Sequence, residues 1–228
     1  MECDKNDRGL AGVPHLVRND SSPNRASVYS SELTTMRTRT CRHIVPLLFA
    51  VFMTVTCLAP PGYSQNAEDL AGNDVDPLRE ASGKVVVLVF LRTDCPISNR
   101  YDPTIQQLSA RYSRQAAFRL VYPDKKASAA RIRKYLLDYG YSIPALRDPR
   151  RVLVRQSHVQ VTPEVAVFDG RSRLVYHGRI DNWYEDFGRS RPAPTTHDLD
   201  DAIRAPLSGK PPTAAVTDAV GCYISDLP

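Results

Sequence analysis

Past residue 64 the chain is poor in cysteine: only Cys95 and Cys222 remain, because Cys3, Cys41 and Cys57 all precede that point. Two thiols can be used as a pair or left free, and no wider disulfide framework is open to them. Histidine is also scarce, at five residues in 228. His158, His177 and His197 stand at no ligand spacing, so the sequence offers no metal centre and names no cofactor. A basic cluster is missing too. Lys and Arg number 30 against 25 Asp and Glu, but the arginines are spread along the chain, which argues against a nucleic-acid partner. No apolar run reaches the roughly 20 residues of a membrane-spanning helix, and no internal repeat is visible.

What is present begins with a leader-like segment. Met36 opens MRTRTCRH, the uncharged stretch Ile44 to Ala59 follows, and the segment leaves through Pro60-Pro61-Gly62-Tyr63-Ser64. A basic start, an apolar middle and small residues at the exit, with Gly62 and Ser64 at minus three and minus one, form the pattern of an export signal. Residues 36–64 therefore read as a signal peptide or an uncleaved signal anchor, in which case 44–59 is the membrane contact. Residues 1–35 read as a disordered extension or a mis-called start. The remainder, placed in the periplasm or outside the cell, divides into a polar linker with at most a short helix over 65–82, a folded domain over 83–209 and an extended tail over 210–228.

Within the folded part, Lys84 opens an unbroken apolar run from Val85 to Leu91, short and β-branched enough to be a strand buried on both faces. Arg92-Thr93-Asp94 turn the chain out of the sheet, and Cys95-Pro96 follow at once. A cysteine at a strand-to-helix transition meets backbone N–H groups and a helix dipole that favour the thiolate. Asp94 would raise its pKa and Arg92 would lower it; the order of residues leaves that balance open. Ile105, Leu108 and Tyr112 continue at helical spacing. A strand over Phe118–Tyr122, a helix over 127–139 stopped by Gly140, a short strand at Ile143–Leu146 and a helix from Asp148-Pro149 through Val159 come next. Glu164–Asp169 and Leu174–Tyr176 flank an Asp169-Gly170 turn, a strong hairpin signal, and Asp198–Leu207 is a last amphipathic helix. Strand and helix alternate, which predicts an α/β fold with a partly parallel sheet.

Over roughly residues 75–222 these features resemble the thioredoxin superfamily. Its members carry Cys-Pro-x-Cys or a relative after the same strand, a proline eight positions after the first cysteine, and a distant Thr/Val-Pro with a cis proline. The counterparts here are Cys95-Pro96-Ile97-Ser98, Pro103 and Thr162-Pro163. The chain is most similar to exported bacterial redoxin-domain proteins of the alkyl hydroperoxide reductase/thiol-specific antioxidant type, in a CxxS version. That resemblance implies a thioredoxin-like three-layer α/β/α sandwich with a central mixed sheet and an extra strand-helix inserted before Thr162. It also implies that Thr162, ahead of Pro163, offers its backbone to an extended substrate chain beside Cys95. Asn99 stands where copper-delivering relatives need a cysteine. Ser98 can hydrogen-bond a thiolate but cannot attack a mixed disulfide, so a resolving thiol must be Cys222 or an external one.

Three functions follow as expectations. One is an exported thiol-disulfide oxidoreductase with Cys95 as nucleophile, acting on protein or small-molecule thiols and disulfides with an external thiol reductant. Another is a peroxiredoxin-like thiol peroxidase with Cys95 as the peroxidatic residue, although Arg92 stands where such enzymes have threonine. The third is a non-catalytic thioredoxin-like binding module.

Overall fold

A computed structural model describes residues 66–225, so the readings made for 1–64 fall outside the described residues. In chain order the elements begin with β1 (Ala67–Asp69), β2 (Asp74–Val75), α1 (Pro77–Glu80), β3 (Val85–Phe90), α2 (Pro96–Arg100) and α3 (Asp102–Tyr112). β4 (Ala116–Tyr122), α4 (Ala129–Asp138), β5 (Ala145–Arg147), α5 (Val152–Ser157), β6 (Val161–Thr162) and β7 (Glu164–Phe168) form the middle. The chain closes with β8 (Leu174–Gly178), β9 (Tyr184–Asp186), β10 (Arg189–Ser190), α6 (Asp198–Leu207) and β11 (Cys222–Tyr223).

All six residues of β3 are buried, and the pleat sends them to two different cores. Val85, Val87 and Val89 join Ile105 and Leu108 of α3, Ile132 of α4 and Leu199 and Ile203 of α6. Val86, Leu88 and Phe90 join Leu78 of α1 and Leu153 and Val154 of α5. Helices thus cover both faces, and β3 is paired along both edges. β4 runs parallel to it from Val85 opposite Ala116, and β7 runs antiparallel with Val87 opposite Val167. The full order is β2-β1-β5-β4-β3-β7-β8, with β5 parallel to β4 and β8 antiparallel to β7. This mixed sheet between two helical layers, with β5 and α5 inserted ahead of Thr162-Pro163, is a thioredoxin-like sandwich.

Three stretches differ from the sequence reading. Residues 66–82, expected as a linker with at most a short helix, hold that helix as α1 but also supply β1 and β2 to the sheet edge. Elements this short carry no readable period; β1 is held by pairing with β5 and by the Glu68–Arg147 ion pair at 3.1 Å, and α1 by its Asp76 cap. α5 ends at Ser157, before Val159, because His158 takes a left-handed φ of 57°.

The tail is the third. Expected as a freely extended arm over 210–228, it is laid back along the body. Val216 bridges His177 of β8, the His177 amide donates to Ala215 O at 3.0 Å, and the Thr217 amide donates to His177 O at 3.2 Å. β11 then pairs antiparallel with β6, Cys222 opposite Thr162 and Tyr223 opposite Val161. Ile224 follows, 3% exposed in the second core, its amide donating to Gln160 O at 2.8 Å. Two glycines admit this path. A Cβ at Gly178, whose φ is +144°, would sit 2.3 Å from Thr217 O, and one at Gly221 would sit 2.3 Å from Thr162 O. Such long-range fits leave no periodic trace in the sequence.

Candidate active site

Cys95 stands where β3 has ended and α2 begins, in the N-cap position and with extended backbone. A cap normally offers its side chain to the first free amides of the helix. Cys95 makes no such bond as a thiol; its Sγ instead donates to Thr162 O at 3.2 Å. Thr162 is buried, and its bond to Pro163 is cis. Pro96 occupies the first helical position and is exposed, with no amide to leave unpaired there.

The residue that completes the site comes from the other end of the chain. Cys222 Sγ lies 2.9 Å from Cys95 Sγ, and both cysteines are free thiols. β11 delivers it: pairing with β6 sets Cys222 opposite Thr162, and Thr162 Oγ1 donates to Cys222 O at 3.4 Å. Partial exposure of Cys95, natural for a cysteine at a helix start, is not what is found. The returning arm covers it completely, leaving 0% exposed.

The two sulfurs are electrostatically unequal. Burial alone would push the Cys95 thiol up; the hydrogen bond from Cys222, the amide and hydroxyl of Ser98 and the Ile97 amide together outweigh it and hold Cys95 below its ordinary value. Cys222 moves the other way, pushed up to about 12 by burial, by the proton it shares with Cys95 and by the charge on that sulfur. The pair therefore loses one proton easily and holds the second tightly. Of the two, Cys95 gives up its proton first and Cys222 keeps its own.

Ser98 is fully buried, and its Oγ has no hydrogen-bond partner while Cys95 is protonated. An unpaired buried hydroxyl is costly. Ionisation of Cys95 supplies the acceptor it lacks. The opposed pulls of Arg92 and Asp94 are reconciled by direct pairing: the guanidinium donates twice to the carboxylate, at 3.0 Å each. Each charge is spent mostly on the other, and what remains of the Arg92 field still reaches the two sulfurs.

Glu164 was not singled out by sequence, whereas Arg179–Tyr184 reads there as a polar loop after the hairpin. Glu164, buried beside Pro163, accepts from the amides of Gln160 and Val161 at 2.8 and 3.1 Å and meets His177 Nδ1 at 3.2 Å. It ties β6 to β8. Asp181 accepts from Tyr101 Oη at 2.7 Å and from the Trp183 amide, and Tyr101 packs edge-on against Trp183 with ring centres 5.8 Å apart. The Arg179–Tyr184 segment is thus a satisfied polar loop seated on the end of α2. Gly221 directly before Cys222 was the available hint of a tight docking site.

No family model matches the chain, and no curated protein does. Among solved structures, an uncharacterized conserved protein from Geobacillus kaustophilus is similar at 22% identity, covering 70% of this chain and 86% of that one, with a TM-score of 0.61. A hypothetical protein from Sinorhizobium meliloti 1021 is similar at 23%, covering 69% and 88%, with a TM-score of 0.58. A secreted Mycobacterium tuberculosis disulfide oxidoreductase, homologous to E. coli DsbE, overlays at 18% identity over 63% and 93%, with a TM-score of 0.44. That last overlay is too loose to bear on chemistry. At these identities the likeness to the first two is one of fold alone.

Proposed function

We propose that the protein is an exported thiol-disulfide oxidoreductase whose redox pair is Cys95 and Cys222. The observation that carries this reading is the 2.9 Å approach of two free sulfurs, one favoured as thiolate and one as thiol. In the reducing direction the Cys95 thiolate attacks one sulfur of a substrate disulfide, forming a mixed disulfide and releasing the other sulfur as a thiolate. Cys95 then carries no charge, so the shared hydrogen bond and the neighbouring charge no longer hold the Cys222 proton, and only burial still does. Cys222 ionises, attacks Cys95 Sγ and releases the second substrate sulfur, leaving a Cys95–Cys222 disulfide. Two electrons have passed from the protein to the substrate, and an external dithiol returns them. The same steps in reverse oxidise a substrate dithiol. Ser98 and the Ile97 amide hold the Cys95 charge, Arg92 adds a positive field, and Thr162 with Pro163 shapes the wall against which the sulfur rests.

Substrates are protein or small-molecule disulfides and thiols, and the leader read over 36–64 places the reaction outside the cytoplasm, where disulfides persist. The test is non-reducing peptide mapping after exposure to oxidised glutathione. A peptide joining Cys95 to Cys222 is expected, and Cys222→Ser is expected to accumulate glutathione on Cys95. Absence of both would refute the dithiol reading. Faster turnover with hydroperoxide than with disulfide would put the peroxidase first, and a Cys95 unreactive at neutral pH would leave only a binding module.

A further inference from the structure

The arm that presents Cys222 also occupies the edge at which another polypeptide could meet Cys95. Among the described residues β6 has one strand partner, and that partner is β11, from the same chain. Cys222 sits on this strand as a substrate cysteine would, opposite Thr162 and with its sulfur against Cys95. Strand addition at an open edge draws affinity from main-chain hydrogen bonds and selectivity from the side-chain positions. Here those positions are explicit. Before the cysteine only glycine fits, since a Cβ at Gly221 would meet Thr162 O at 2.3 Å and Thr162 C at 2.6 Å. One position after it, Tyr223 is 59% exposed and free to vary; at the second, Ile224 fills an apolar site.

The arm's hold is also narrow. Ile224 is its one deeply buried side chain; Thr213 to Val216 and Asp218 are exposed, and residues 216–219 roof a polar cavity lined by Gln160, Glu164 and His177. The rest of its hold is hydrogen bonding and partly buried contact, Thr217 Oγ1 with Tyr176 and Arg179 and Val220 and Cys222 against the first core, and a segment with so little buried apolar area opens more readily than the core.

We propose that residues 221–224 are a built-in occupant of the polypeptide-binding edge. While docked, the arm keeps Cys95 buried and holds the strand edge with which an extended chain would pair. A polypeptide substrate displaces it by pairing with β6 as Gly-Cys-x-apolar, reacts with Cys95, and is expelled when the arm re-docks and Cys222 resolves the mixed disulfide. One edge serves substrate and resolving thiol in turn. The inference rests on the oxidoreductase reading above.

The test uses the full chain carrying Cys222→Ser, so that no internal disulfide intervenes, with and without Gly221→Val to unseat the arm. Two probes report on Cys95. One is a synthetic peptide of the Thr217–Ser225 sequence with its cysteine activated as a thionitrobenzoate disulfide; the other is the small disulfide reagent dithionitrobenzoate. Unseating the arm is expected to raise the peptide rate about tenfold, as competition for the main-chain hydrogen bonds ends. The reagent rate should rise too, because the docked arm buries Cys95, but by a smaller factor, because the reagent does not compete for the strand edge. A peptide with valine in place of its glycine should lose the gain, because it meets Thr162 O as the variant arm does. Ile224→Ser, which removes the apolar anchor, is the second route should Gly221→Val fail to fold, with circular dichroism reporting the fold. Equal acceleration of both probes would mean that the arm merely shields sulfur; an unchanged peptide rate, or indifference to the glycine, would overturn the shared edge. If Cys95 reacted with neither probe in any variant, the oxidoreductase reading itself would fail.

Discussion

Replacing Cys222 by alanine should move the ionisation of Cys95 upward by about one pH unit. Among the groups that hold Cys95 low, the Cys222 thiol is the largest, and it lies 2.9 Å away. A hydrogen bond to a charged group contributes about 1.5 to 3 kcal/mol. Because Cys222 is only partly buried, and water enters the space its sulfur leaves, the lower half of that range applies. At about 1.4 kcal/mol per pH unit this is a shift of about one unit. Peptide-resolved iodoacetamide alkylation of Cys95 against pH measures it. The same shift has a stability counterpart with a definite sign. A thiol whose folded pKa is depressed contributes stability that is present above the unfolded thiol pKa and is lost as pH falls through the folded value. Cys222, raised to about 12, does the opposite: its contribution is present below the unfolded pKa and lost as pH climbs towards 12. The alanine variant should therefore show a flatter melting temperature on both sides of the thiol range. An alkylation midpoint that stays in place or moves down would refute the assignment of Cys222 as donor and Cys95 as acceptor.

Other substitutions separate chemistry from scaffold. Cys95→Ser should abolish disulfide exchange, whereas Ser98→Ala should lower it several-fold, because the hydroxyl contributes one hydrogen bond of about 1 kcal/mol and no nucleophile; equal losses in single-turnover assays would mean the roles are wrong. Glu164→Gln should lower the melting temperature by about 2–5 °C, since its carboxylate holds two amides of the segment leading into Thr162, and an unchanged melt would show that segment to be fixed otherwise. Asp148→Ala should cost about 1–2 kcal/mol in urea unfolding by leaving the Val152 and Val154 amides at the start of α5 without their acceptor.

How far the amino-acid order determines this protein depends on the range of the interactions involved. β3, α3, α4, the β7–β8 hairpin and α6 were legible because each is long enough to show its period or bounded by a local signal: the all-apolar run of Val85–Phe90, helical spacing in Ile105, Leu108 and Tyr112, the Asp169-Gly170 turn. The position of Cys95 and the order Cys95-Pro96, Pro103, Thr162-Pro163 were legible for the same reason, since strand-to-helix chemistry is written in neighbouring residues. β1, β2, β9, β10 and β11 were not, because strands of two or three residues have no period and exist only where another segment pairs with them. Sequence left the Arg92–Asp94 balance open, and only side-chain geometry turned two opposing charges into one bidentate pair. Above all, the number of residues between Cys95 and Cys222 says that the two can meet but not that they do. That was decided by contacts between distant segments: a glycine small enough to pass Thr162 O, an isoleucine with an apolar site to fill, and a strand edge at β6 with room for one partner.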